Sequence, residues 1–163
     1  MKKIATIALF ALALISLYAC NNDLNKVFDP EIPLVEFQPA VVNAASVGRT
    51  YPLISTGNSV TAAATVTAQL NLLGRQRSSE LTVRVAPEMG TNGTTALPSS
   101  YTLSNGGTVV FAPNSSTAAV SISVGRATST TAAVANIILV IDSTSADYKP
   151  SPNYKRIGYS FRQ

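Results

Sequence analysis

From Val60 to Leu70 every second position is apolar or small: Val60, Ala62, Ala64, Val66, Ala68 and Leu70, with Thr61, Thr65, Thr67 and Gln69 mostly between them. Successive side chains of an extended backbone point to opposite faces, so this period predicts a strand with one buried face. The alanines alone favour a helix. On a helical projection, however, the threonines and glutamine would fall all round the cylinder, leaving no apolar stripe to bury.

The same rule reads on through the chain. Leu81, Val83 and Val85 alternate with Thr82 and Arg84 before Pro87. Val109 and Phe111 lie between Gly106-Gly107 and Pro113, and Ala118, Val120, Ile122 and Val124 alternate up to Gly125. Ile137 to Ile141 is continuously apolar, as a central, strongly buried strand requires. Ile157, Tyr159 and Phe161 alternate with Arg156, Ser160 and Arg162 in a last strand. Leu34–Phe37 and Thr50–Ile54 are shorter candidates, and Pro52 confines the second to a sheet edge. No segment carries a helix pattern. Gly57-Asn58, Asn92-Gly93 and Asn105-Gly106-Gly107 supply turn chemistry rather than a phosphate-cradling loop, because no helix start follows them. Seven or eight short strands punctuated by turns predict an all-β fold, an antiparallel immunoglobulin-like β-sandwich over residues 34–163.

The chain opens with Met1-Lys2-Lys3 and an apolar or small run from Ile4 to Ala19. That run is shorter than the ~20 residues a spanning helix needs, and Asn21-Asn22-Asp23 follows at once. A basic start, a short apolar core and a small residue at its end describe a secretory signal peptide. Leu17-Tyr18-Ala19-Cys20 resembles the bacterial lipobox. The resemblance implies cleavage after Ala19 and acylation at Cys20, the chain's one cysteine. The other reading of these residues is an ordinary signal peptide followed by a buried free thiol. The expected organisation is a signal peptide over 1–19, a lipidated tether over 20–33 rich in Asp-Pro and Ile-Pro breakers, and the sandwich over 34–163. The membrane is then a partner through Cys20, and the expected location is the outer membrane, on its surface or periplasmic side.

Composition removes several function classes. There is no histidine, which excludes His-based triads and most zinc sites. The formal charge of +4 falls by two when Lys2 and Lys3 leave with the signal peptide, and no basic cluster marks a nucleic-acid groove. Without a cysteine pair the domain is held by burial alone. The acid pairs Glu80 with Glu88 and Asp142 with Asp147 read as solvated loop charges. The expectation is a protein that is no enzyme and has no cofactor.

The stretch from Thr95 to Val124, "TALPSSYTLSNGGTVVFAPNSSTAAVSISV", resembles the Calx-beta family, with Tyr101, Val109, Phe111, Pro113 and Ile122 in the matching places. It is also similar to small Bacteroidota lipoproteins of unknown function with immunoglobulin-like domains. Calcium-binding members of the Calx-beta family use acids at the sandwich tip. Here Ser100 stands before Tyr101, and Gly125-Arg126-Ala127 follows the long strand, so no metal is implied.

Three sites are candidates. Tyr148, Asn153 and Tyr154 flank an exposed-looking turn and predict a small polar-aromatic platform for glycan, although Tyr154 has an alternative role in anchoring the last strand. Asp142-Ser143-Thr144 resembles the O-glycosylation tripeptide of exported Bacteroidota proteins, with Ser143 as acceptor, and equally reads as a turn. Cys20 is the lipidation site. The expected role is a non-catalytic envelope module for adhesion or assembly. One alternative is a glycan-binding accessory of a polysaccharide-uptake system. Another is a subunit that meets an outer-membrane protein through a sheet edge near Tyr51.

Overall fold

Alternation in the sequence becomes two stacked sheets in the computed structural model, which describes residues 32–163. The expected signal peptide, Cys20 and most of the expected tether lie outside the described residues. The strands are β1 (Leu34–Phe37), β2 (Leu53–Ser55), β3 (Ala64–Leu73), β4 (Leu81–Pro87), β5 (Tyr101–Leu103), β6 (Thr108–Phe111), β7 (Thr117–Val124), β8 (Val134–Ile141), β9 (Lys149–Pro150) and β10 (Arg156–Arg162). The first sheet runs β5-β7-β3-β1-β9 and the second β2-β10-β8-β4-β6.

Two long antiparallel ladders form the middle of the sheets. β3 pairs with β7 from Ala64↔Val124 to Asn71↔Thr117. β10 pairs with β8 from Arg156↔Val140 to Arg162↔Val134. Their inner positions meet between the sheets: Ala68, Leu70, Val120 and Ile122 from one side, Ile137, Leu139, Ile157 and Tyr159 from the other. Val83, Phe111, Val35 and Phe37 complete this core. β8 is central in its sheet, as its unbroken apolar run requires.

Three features depart from the sequence expectation. The strand predicted from Val60 starts only at Ala64. The Ser59 hydroxyl accepts from the N–H groups of Thr61 and Ala62 at 3.3 and 3.1 Å, closing a turn that uses up the first part of the alternation. A single helical turn, α1 (Gln38–Val42), follows β1, with Pro39 in its first turn where the missing N–H costs nothing. Two short pairings are parallel, β1 with β9 and β10 with β2, so the sandwich is not purely antiparallel. β2 is an edge strand beside Pro52, as expected. Among the described residues no helix is long and apolar enough to cross a membrane.

The outer face of the second sheet carries a small second core. At Gly158 the missing side chain leaves room for its neighbours. A Cβ there would stand 2.8 Å from Leu53 Cδ1, 3.0 Å from Ile138 Cδ1 and 3.3 Å from Tyr51 Cε2. Tyr51 and Ile138 are buried as a result, although both face away from the main core. Tyr51 brings loop 44–52 onto this face, while loop 88–96 is held to β8 by backbone bonds, Glu88 N–H to the Ile138 carbonyl at 2.7 Å and Thr95 N–H to the Asn136 carbonyl at 2.8 Å.

Candidate functional site

On the outer face of the second sheet, Arg156 opens β10 and points toward the loop that leaves β4. Its Nε lies 2.9 Å from both carboxylate oxygens of Glu88, and one terminal nitrogen lies 2.5 Å from Glu88 Oε1. The pair is half-buried. Glu88 is fixed in turn because its N–H donates to the Ile138 carbonyl at 2.7 Å. Such a fork places several hydrogen-bonding edges in one plane at one position.

Beside the fork, Arg49 donates to the Tyr51 hydroxyl, and that hydroxyl donates to the Asn92 carbonyl at 3.0 Å. The Arg49 guanidinium also lies 5.5 Å from the Tyr51 ring centroid, a cation–π distance. This bridge ties loop 44–52 to loop 88–96.

Two adjoining cavities share Thr50 and Arg156. One, of about 430 Å³, is lined by Thr50, Pro152, Asn153, Tyr154, Lys155 and Arg156. The other, of about 270 Å³, runs past Arg49, Tyr51, Glu88 and Asn92. The turn between β9 and β10 forms the first wall. It is held by two bonds to β1, Ser151 N–H to the Val35 carbonyl at 2.8 Å and Phe37 N–H to the Tyr154 carbonyl at 2.9 Å. Tyr154 is 37 % exposed while its backbone is pinned. The result is a groove with one accessible aromatic residue, an amide, an arginine–carboxylate fork and a further lysine.

Of the predicted platform, Asn153 and Tyr154 line this groove and Tyr148 does not. Tyr148 is 2 % exposed and belongs to the main core. Its hydroxyl accepts from the Arg84 N–H at 3.3 Å, and burial raises its pKa above the ordinary tyrosine value. A ring enclosed in this way offers no face to a sugar. Tyr148 instead closes the end of the sandwich ahead of β9. Ser143 is exposed, in a turn where the Asp142 carboxylate accepts from the Thr144 N–H at 3.0 Å and the Thr144 hydroxyl at 2.9 Å. These bonds from Thr144 hold the Asp142 carboxyl below its usual pKa. Cys20 lies outside the described residues.

Sequence reasoning missed Arg49, Glu88 and Arg156 as site residues. Glu88 and Arg156 are 68 positions apart, and only the register of β4, β8 and β10 brings them together. Among the described residues no three metal-ligating side chains gather.

With this geometry in place, comparison with solved structures places the architecture. A "putative carbohydrate binding protein" from Bacteroides ovatus superposes with a TM-score of 0.52 at 14 % identity, over 80 % of this chain and 37 % of that one. A two-domain protein of unknown function from Bacteroides fragilis gives 0.52 at 10 % identity, over 87 % of this chain and 50 % of that one. The apo form of the Calx CBD1 domain gives 0.51 at 12 % identity, over 79 % of this chain and 96 % of that domain. The chain has a Calx-beta-like β-sandwich fold. At these identities the likeness is one of fold alone, and the chain spans at most half the length of the two Bacteroides proteins. No sequence family matches the chain, and no characterised protein matches it by sequence.

Proposed function

We propose that this chain is a non-catalytic, lipid-anchored envelope module that binds glycan in the groove around Arg156. The observation that carries the reading is the juxtaposition of accessible Tyr154 and Asn153 with the Arg156–Glu88 fork across two cavities that share one wall. Sugar recognition uses an apolar ring face against the C–H side of the sugar and planar donors and acceptors against its hydroxyls. Arg49, Lys155 and Arg156 outnumber Glu88, which favours glycans bearing carboxylate or sulfate. The likeness to a Bacteroides protein described as carbohydrate binding supports this choice over adhesion without a ligand.

The lipobox at Leu17–Cys20 supports export and attachment to the outer membrane through acyl chains. Assembly through the β2 edge is less favoured, because that edge is three residues long and its Leu53 N–H is already taken by the Ser46 hydroxyl at 2.8 Å. Ser143, exposed after β8, is the proposed O-glycan acceptor; intact mass of the chain from its native host reads this directly.

The test is a glycan array probed with the mature chain and with its Tyr154→Ala and Asn153→Ala variants. The reading expects binding to a set of acidic glycans and its loss, about tenfold or more, in both variants. Binding that is unchanged in both variants, or no binding on the array, overturns it.

A further inference from the structure

A further cavity lies at the end of the sandwich where the chain enters β1. It measures about 560 Å³, and its walls include Pro33, Arg75, Arg77, Ser78, Ser79 and Asp147. Three loops build it: 74–80 between β3 and β4, 112–116 between β6 and β7, and 142–148 between β8 and β9. Asn114 N–H donates to the Arg77 carbonyl at 2.8 Å and Lys149 N–H to the Pro33 carbonyl at 3.0 Å, so the walls are joined.

The two arginines have capacity to spare. Arg77 reaches the Asp147 carbonyl at 3.3 Å and its carboxylate only at 4.0 Å. Among the described residues Arg75 forms no salt bridge and is exposed. Lys149 adds a third positive charge at this end, and Glu80, Asp142 and Asp147 are the opposing acids, Asp142 being engaged by Thr144. Ser78 and Ser79 bring hydroxyl donors to the same cavity. Guanidinium groups with hydroxyls beside them are the chemistry that takes a phosphate oxyanion.

Pro33 fixes what stands in front of the cavity. Pro33 lies 13 positions after Cys20, and a chain of that length reaches no further than about 45 Å when fully extended. With Cys20 acylated, the end of the domain that carries Pro33 is the end tied to the bilayer, and Arg126 follows β7 at the opposite end. We infer that Arg75 and Arg77 bind the phosphate of anionic lipid headgroups and seat the domain against the membrane. The inference rests on the anchoring reading for its geometry, but binding at the cavity is testable without the acyl chains.

The experiment uses the mature chain with Cys20→Ser, so that no acyl chain contributes. Its sedimentation is measured with vesicles of phosphatidylcholine and with vesicles of equal parts phosphatidylcholine and phosphatidylglycerol. Recruitment only to the second set is expected. It should fall about fivefold in Arg75→Gln and further in the Arg75→Gln, Arg77→Gln double variant, each basic residue being worth about that factor at an anionic surface. Arg126→Gln at the far end should leave it unchanged. Equal recruitment to both vesicle sets, or recruitment that Arg75→Gln does not alter, overturns the inference. So does a rise in melting temperature with inorganic phosphate that is not accompanied by vesicle recruitment, since the site then takes a free anion. Palmitate labelling of the native chain in cells reports on Cys20 separately. Absent label with intact vesicle recruitment overturns the anchoring reading and supports this site.

Discussion

Arg156 Nε sits 2.9 Å from each carboxylate oxygen of Glu88, joining the start of β10 to the loop that leaves β4. This contact is both a fastening for the loop and the polar centre of the groove. The side chains are 37 % and 26 % exposed, so water screens the pair and its contribution is modest. Glu88→Gln should cost about 1 kcal/mol, and that cost should shrink in high salt. Urea melts at low and high ionic strength check it; a loss near 4 kcal/mol would mean a pair far more enclosed than this one.

Two neighbouring glycines should respond very differently to alanine. Gly107 has φ +85°, and a Cβ there would stand 2.1 Å from the Val85 carbonyl oxygen, which belongs to β4 and cannot move aside. Gly106 has φ +59° with nothing near its missing Cβ. Gly107→Ala should therefore cost about 3–5 kcal/mol, from overlap added to backbone strain, while Gly106→Ala costs about 1 kcal/mol from strain alone. Thermal melts of the pair decide this, and equal losses would contradict the close approach of Gly107 to β4.

Tyr148 should behave as a core residue. Tyr148→Ala should cost about 3–5 kcal/mol, and Tyr148→Phe about 1 kcal/mol through the lost acceptor for Arg84 N–H. Tyr148→Phe should leave glycan binding unchanged. Lost binding with retained stability would return this ring to the site.

Much of this was legible beforehand because a sandwich core writes itself as alternation. β4, β7 and β10 follow from period two in their own residues, and β8 follows from its unbroken apolar run. The errors came where local pattern and tertiary placement part company. Val60 and Ala62 continue the alternation of β3, but a serine hydroxyl turns the backbone away first. Tyr148 sits among Asp147, Lys149 and Pro150, which reads as a polar loop; the parallel pairing of β9 with β1 carries the loop across the end of the core and buries the ring. The helical turn Gln38–Val42 is too short to show a 3.6-residue period. The groove was half visible: Asn153 and Tyr154 are adjacent in sequence, whereas Arg49, Glu88 and Arg156 meet only through strand register.

Stability should fall at alkaline pH through Tyr159. Burial in the core pushes its pKa up to about 12 from an ordinary value near 10. The neutral ring is the form the fold holds. Its contribution is fully present below pH ~10 and drains away as pH climbs to about 12, by about 3 kcal/mol in all. Tyr159→Phe should flatten that limb, as denaturant midpoints across this range would show. At the acid end, Asp142 has a lowered pKa in the folded state. Its small contribution is present above the unfolded carboxyl value and is lost as pH falls through the folded one.

Amide chemical-shift mapping during titration with an acidic oligosaccharide tests the glycan groove most directly. The account predicts saturable shifts at Thr50, Asn153, Tyr154, Lys155 and Arg156, absent in Tyr154→Ala. Shifts confined to the outer face of β3 and β7, or none at all, would contradict it.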